Sequence, residues 1–172
     1  MLEPGLVAEE FLRHVATSPA GFVACSVGVA FEAWFQVELA HMPHTKGVGS
    51  VRFGYDYPHT RCKADLACES EEGISVFELK CFVRGADANK LQTWPEQLCR
   101  LLKLIQKGDA AQGWAVSTYF GYEEGKMVDL ISKFHPLPWR VFGPRKFFED
   151  APLQMVIGSV TLAKVSARDE IQ

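Results

Sequence analysis

Asp65, Glu78 and Lys80 are the residues whose types and spacing could do chemistry in this chain. They punctuate two otherwise apolar, strand-like runs, Lys63-Ala64-Asp65-Leu66-Ala67 and Val76-Phe77-Glu78-Leu79-Lys80. Side chains alternate faces along a strand, so Glu78 and Lys80 share one side of the second run while Phe77, Leu79 and Cys81 take the other. The intervening Glu69-Ser70-Glu71-Glu72-Gly73 is polar and ends in glycine, which predicts a hairpin connection that brings Asp65 beside Glu78. Two converging carboxylates form a hard-oxygen site suited to Mg²⁺ or Mn²⁺. Such an ion polarises a phosphoryl oxygen and lowers the pKa of a bound water, and the neighbouring ammonium orients that water or offsets charge on the pentacovalent phosphate. Phosphodiester hydrolysis is the reaction this group would serve.

Alternating opposite charges also occur on ordinary solvent-facing strands. The difference here is the apolar density around the acids: Ile74, Val76, Phe77, Leu79, Phe82 and Val83 describe a strand buried on both faces. An unpaired charge in such a strand is costly, so its presence requires a reason.

The arrangement Asp65, twelve residues, Glu78-Leu79-Lys80 resembles the signature of the PD-(D/E)XK, or restriction-endonuclease-like, nuclease superfamily, with alanine in place of the proline. The resemblance implies that Asp65 and Glu78 bind metal and that Lys80 assists the attacking water. It also implies a further acid from the helix before the first strand. Val29 to Met42 is a credible version of that helix and offers Glu32 and Glu38. Glu32 and Gln36 lie on one helical stripe, whereas Glu38 points about 120° away. Glu32, near the helix start among Val29, Phe31, Ala33 and Trp34, is the favoured third metal ligand. In the same superfamily a polar residue after the lysine often touches the site or the nucleic acid, and Gln97 is the matching candidate.

The elements that must position these residues follow the order expected of that core. Val51 to Pro58 alternates aromatic and polar residues and reads as a strand ending in a turn. Thr93-Trp94-Pro95-Glu96 matches a capping box with proline at the first helical position, followed by the stripe Leu98, Leu101, Leu102 and Ile105 and a stop at Gly108. Gly113 to Phe120 reads as a fourth strand. The expected fold is thus an α/β, restriction-endonuclease-like core in the order αβββαβ, a mixed central sheet flanked by helices, with N- and C-terminal additions. The core covers about residues 29–120 of one domain spanning 1–172. An amphipathic helix is expected at Leu6 to Ala16, a weaker one at Glu123 to Phe134, and further strands around Trp139 to Phe142, Phe147-Phe148 and Met155 to Leu162.

At 172 residues and 48% hydrophobic composition the chain can bury a substantial core. No apolar run approaches the roughly 20 residues of a membrane span, which predicts a cytoplasmic protein without membrane contact. The five cysteines are scattered, with no C-x-x-C pair, and are expected to be reduced and mostly buried. A zinc site from Cys62, Cys68 and His59 matches no common spacing. The net charge of −3 gives no global attraction to phosphate, so a nucleic-acid partner, DNA foremost, would need a local basic surface. Arg84, Lys90, Arg100, Lys103 and Lys107 supply candidates, as do Arg140, Arg145, Lys146 and Lys164. A homodimer or a partner subunit is compatible with cutting both strands. The alternative is a noncatalytic protein of the same fold, serving protein interaction or nucleic-acid binding.

Overall fold

The computed structural model describes residues 9–14, 17, 31–45, 50–85, 88–120, 140–146 and 153–161. Helix α1 (Phe31–Thr45) precedes three strands, β1 (Ser50–Asp56), β2 (Lys63–Ser70) and β3 (Gly73–Val83). Helix α2 (Ala88–Gln106) and strand β4 (Gln112–Phe120) follow, then β5 (Arg140–Lys146) and β6 (Leu153–Thr161). The strands form one mixed six-stranded sheet in the order β1-β2-β3-β4-β6-β5. β1, β2 and β3 make an antiparallel meander, and α2 carries the chain over to β4, which lies parallel to β3.

The two helices cover opposite faces of the sheet, as the period-2 pattern of β3 requires. Leu39 and Ala40 of α1 cluster with Phe77, Leu79 and Cys81, and Phe77 stacks on Trp114 with ring centroids 5.5 Å apart. Leu101, Leu104 and Ile105 of α2 cluster with Ala67, Val76 and Val160, while Trp94 and Leu98 join Phe82 and Tyr119. Glu78 and Lys80 therefore stand on the α2 face, between Val76 and Phe82. Phe11, from helical residues 9–14, is fully buried in the α1-side cluster, the part of the expected N-terminal helix that lies within the described residues.

Helix α2 begins earlier than its capping-box pattern predicts. Pro95 lies inside it, and the Thr93 hydroxyl donates to the Asn89 carbonyl at 3.0 Å instead of capping a helix start. The reason is packing. Trp94 is buried edge-on against Phe82, with ring centroids 6.3 Å apart, and Leu91 packs beside it, so the apolar stripe extends a full turn before the proline. A proline there forfeits one intrahelical hydrogen bond, and the burial of a large aromatic ring offsets that loss. The helix ends as expected: Gly108 takes φ +76°, its amide donates to Ile105 O and that of Asp109 to Leu104 O, which together form a Schellman cap.

The expected turn between β2 and β3 shortens to Glu71-Glu72, because pairing runs out to Ser70↔Gly73. β6 pairs with β4 along its whole length and β5 with β6, so the apolar C-terminal runs extend the sheet on the side away from β1. The helix expected at Glu123 to Phe134, together with Phe147 and Phe148, lies outside the described residues. No helix among the described residues is long and apolar enough to cross a membrane.

Candidate active site

The sheet opens where the candidate residues sit. β2 and β3 pair from Ser70↔Gly73 to Leu66↔Phe77, and the ladder stops there. On the other side the register passes from Phe53↔Leu66 to Tyr55↔Ala64 without pairing Gly54 to Asp65, and Gly54 has φ +67°, a conformation open to glycine at little cost. Asp65 is thus released from both neighbours. Its carbonyl accepts instead from Gln36 Nε2 of α1, and its carboxylate Oδ2 accepts from the Leu79 amide at 2.7 Å. One pleat further along β3, the Cys81 amide donates to Glu32 Oε2 at 3.1 Å. Two side-chain carboxylates replace the missing strand partner of β3.

Glu78 lies in the same gap. It is 1% exposed; Oε1 accepts from the Tyr57 hydroxyl at 2.6 Å, and Oε2 is buried without a partner. The Asp65 and Glu78 carboxyl groups lie close enough for each to act on the other's proton affinity. Burial pushes the Glu78 carboxyl up to about 7, and the adjacent Asp65 adds to the rise against the opposing hydrogen bond from Tyr57. Burial likewise raises Asp65, with Glu32 adding to the rise, although the Leu79 amide holds against it. Tyr57 is raised above the ordinary phenol range by burial and by Glu78, so it remains a hydrogen-bond donor.

Two lysines meet Glu32 beside this pair. Lys80 Nζ lies 3.5 Å from Glu32 Oε1, with its side chain 13% exposed. Lys90, at the start of α2, donates to the Cys81 carbonyl at 2.8 Å and lies 3.6 Å from Glu32 Oε2. Glu32 therefore sits between two lysines.

The structure brings Asp65, Glu78, Lys80 and Glu32 together, but not as three equivalent metal ligands. Glu32 has both oxygens engaged, with the Cys81 amide and with Lys80 and Lys90, and among the described residues no three His, Cys, Asp or Glu side chains are grouped to hold a metal ion. The carboxylate pair is Asp65 with Glu78. Glu38, the other helix acid, points to the N-terminal segment and meets His14 Nε2 at 2.5 Å. Gln97 is half-buried on α2, with its Oε1 lacking a partner. Among the described residues no cysteine forms a disulfide; Cys68 and Cys81 are buried, whereas Cys62 and Cys99 are exposed.

Sequence reasoning missed Tyr57. It sits where β1 turns into β2: Thr60 N donates to Tyr57 O at 3.3 Å around Pro58 and a left-handed His59, φ 64°. Proline followed by a positive-φ residue is the signature of a type II turn, and that turn holds Tyr57 over the Asp65 gap.

Buried, partnerless Glu78 Oε2 beside the Asp65 carboxylate supplies two hard oxygen donors, the number Mg²⁺ commonly takes from protein while retaining several waters. Comparison of the chain with protein-family models, with curated proteins and with solved structures gives no match.

Proposed function

We propose that this protein is a metal-dependent nuclease of the PD-(D/E)XK type, with a restriction-endonuclease-like core formed by α1, β1 to β3, α2 and β4, hydrolysing phosphodiester bonds in DNA. The observation that carries the reading is the interrupted β2–β3 ladder, in which Asp65 and a buried Glu78 with one idle oxygen meet beside Lys80. Asp65 and Glu78 are the residues that would hold Mg²⁺ or Mn²⁺. When bound, the ion polarises a phosphoryl oxygen and lowers the pKa of a coordinated water.

The remaining work belongs to the chain. Leu79 N–H fixes one Asp65 oxygen and Tyr57 fixes one Glu78 oxygen, which leaves the other Glu78 oxygen buried without a partner. Lys80 supplies a largely buried ammonium that offsets negative charge developing on the phosphate, where low dielectric strengthens its effect. Glu32 acts on Lys80 and on the Cys81 amide, which makes it a positioning residue for the lysine.

The second reading, a noncatalytic subunit of the same fold, draws on the absence of a third ligating side chain among the described residues and on the net charge of −3. Incubation of the purified protein with linear, circular and single-stranded DNA and with RNA, across Mg²⁺, Mn²⁺ and EDTA, separates the two. Metal-dependent cutting that EDTA abolishes supports the nuclease and names its substrate; intact nucleic acid in every lane supports the noncatalytic subunit.

A further inference from the structure

Among the described residues, one cation near the carboxylate pair lacks an ion-pair partner. Lys80 is held by Glu32, and Lys90 by Glu32 and the Cys81 carbonyl. Arg100, in the middle of α2, is half-buried, and its Nε is buried without a hydrogen-bond partner. It makes no ion pair with a carboxylate among the described residues, yet it lies close enough to Glu78 and Tyr57 for its charge to act on both. A buried guanidinium nitrogen with nothing to bind is costly in a resting protein, and such an atom calls for a ligand.

Its place on the helix gives the direction in which that ligand lies. Trp94, Leu98, Leu101 and Ile105 form the centre of the buried stripe of α2. Gln97, Arg100 and Leu104 fall on one flank of that stripe by helical periodicity, and Leu104 packs in the cluster that contains Tyr57 and Ala64. This flank faces the gap beside Asp65. Gln97, three residues before Arg100, brings a second buried atom without a partner to the same flank.

We infer that Arg100 is the residue through which this site takes hold of the phosphodiester, an inference that rests on the nuclease reading above. Guanidinium presents paired donors that match two phosphate oxygens, and it keeps its charge beside the carboxylates at every working pH. The acidic balance of the whole chain is then no obstacle, because attraction is concentrated at one cation left free inside the site.

The test measures binding of a short duplex DNA and an RNA of the same sequence to the full chain, with Ca²⁺ replacing Mg²⁺, over a series of salt concentrations. Cleavage by the same proteins in Mg²⁺ or Mn²⁺ is measured alongside. Arg100→Ala is expected to weaken binding at least tenfold and to reduce the slope of log affinity against log salt by about 0.9 for duplex DNA, one phosphate contact. Arg100→Lys is expected to keep the slope and recover part of the affinity, and Arg13→Ala, an exposed cation of helical residues 9–14, to match wild type. Melting temperatures of all variants should stay near that of wild type, which a structural role for Arg100 would not allow. Wild-type cutting with affinity and KM unchanged in Arg100→Ala would overturn the role of Arg100 alone. Binding through Arg100 without cutting would overturn the nuclease reading alone, and no binding by wild type would overturn both.

Discussion

The two halves of the β2–β3 pair are built from the same two strands and satisfy their backbone by opposite means. From Ser70↔Gly73 to Leu66↔Phe77 the strands bond to each other, and apolar side chains fill both faces. Beyond Phe77 the strands part, and the amides of Leu79 and Cys81 donate to the carboxylates of Asp65 and Glu32. The first half is an ordinary sheet, stabilised by burial and by exchanged backbone hydrogen bonds. The second half concentrates acids where water is largely excluded, at the cost of raising their proton affinity. A sheet can thus be opened without orphaning its amides, provided that acids take the place of the strand, and the acids left in the gap are then free to bind something else.

The paired half is the more sensitive to truncation. Phe77→Ala removes a ring stacked on Trp114 at full burial and is expected to cost about 3 to 5 kcal/mol in urea unfolding. A loss below about 1 kcal/mol would mean that the paired half is not the stabilising one.

In the second half the sign reverses. Glu78 is raised from 4.5 to about 7 by burial, so the folded state binds more protons than the unfolded chain within that window. Its contribution to stability is fully present at pH below the unfolded value and is lost as pH rises through about 7, a change of about 3 kcal/mol. Glu78→Gln keeps an acceptor for Tyr57 and removes the titration. It is therefore expected to be more stable than wild type at pH 8 by up to that amount, and close to it at pH 4. Equal unfolding free energies of the two proteins at pH 8 would contradict the burial of a charge at this position.

A divalent cation supplies the opposite charge. Mg²⁺ at about a hundred times its dissociation constant should raise wild-type stability by about 2.7 kcal/mol at pH 8, and far less at pH 5, where Glu78 carries a proton. Thermal melts with and without Mg²⁺ at the two pH values check this, and Asp65→Asn should remove the difference. Smallest of all, Tyr57→Phe deletes the hydrogen bond on Glu78 Oε1 and should move the pH midpoint of Mn²⁺ binding upward by up to about one unit. A midpoint that stays in place would show that Tyr57 does not orient Glu78.

Much of this contrast was legible in the sequence. Asp65, Glu78 and Lys80 stood out because charges at period-2 positions interrupt runs apolar enough to be buried on both faces, and that is where they lie. The element order α1-β1-β2-β3-α2-β4 and the β2–β3 hairpin followed from hydrophobic period and turn residues. The start of α2 did not, because Thr93 to Glu96 imitates a capping box and only the burial of Trp94 reveals that the helix runs through it. Helical period alone left Glu32 and Glu38 open, and contacts from other elements, Lys80 to one and His14 to the other, separate them in space. Tyr57 was hidden in an aromatic alternation that any edge strand could carry; the turn residues Pro58 and His59 were its one signal. Arg100 looked like one of several helical cations, and its flank position between Gln97 and Leu104 was the readable difference. The positions of β5 and β6 depend on which sheet edge was free, which no local pattern encodes.

Cutting of phosphodiester bonds by the opened half of the β2–β3 pair is read from the single-turnover cleavage rate of wild type and Lys80→Ala at saturating Mn²⁺. Removal of the buried ammonium should lower the rate at least a hundredfold, with Mn²⁺ binding and melting temperature retained. Cleavage by Lys80→Ala at the wild-type rate, or none by wild type itself, would contradict it.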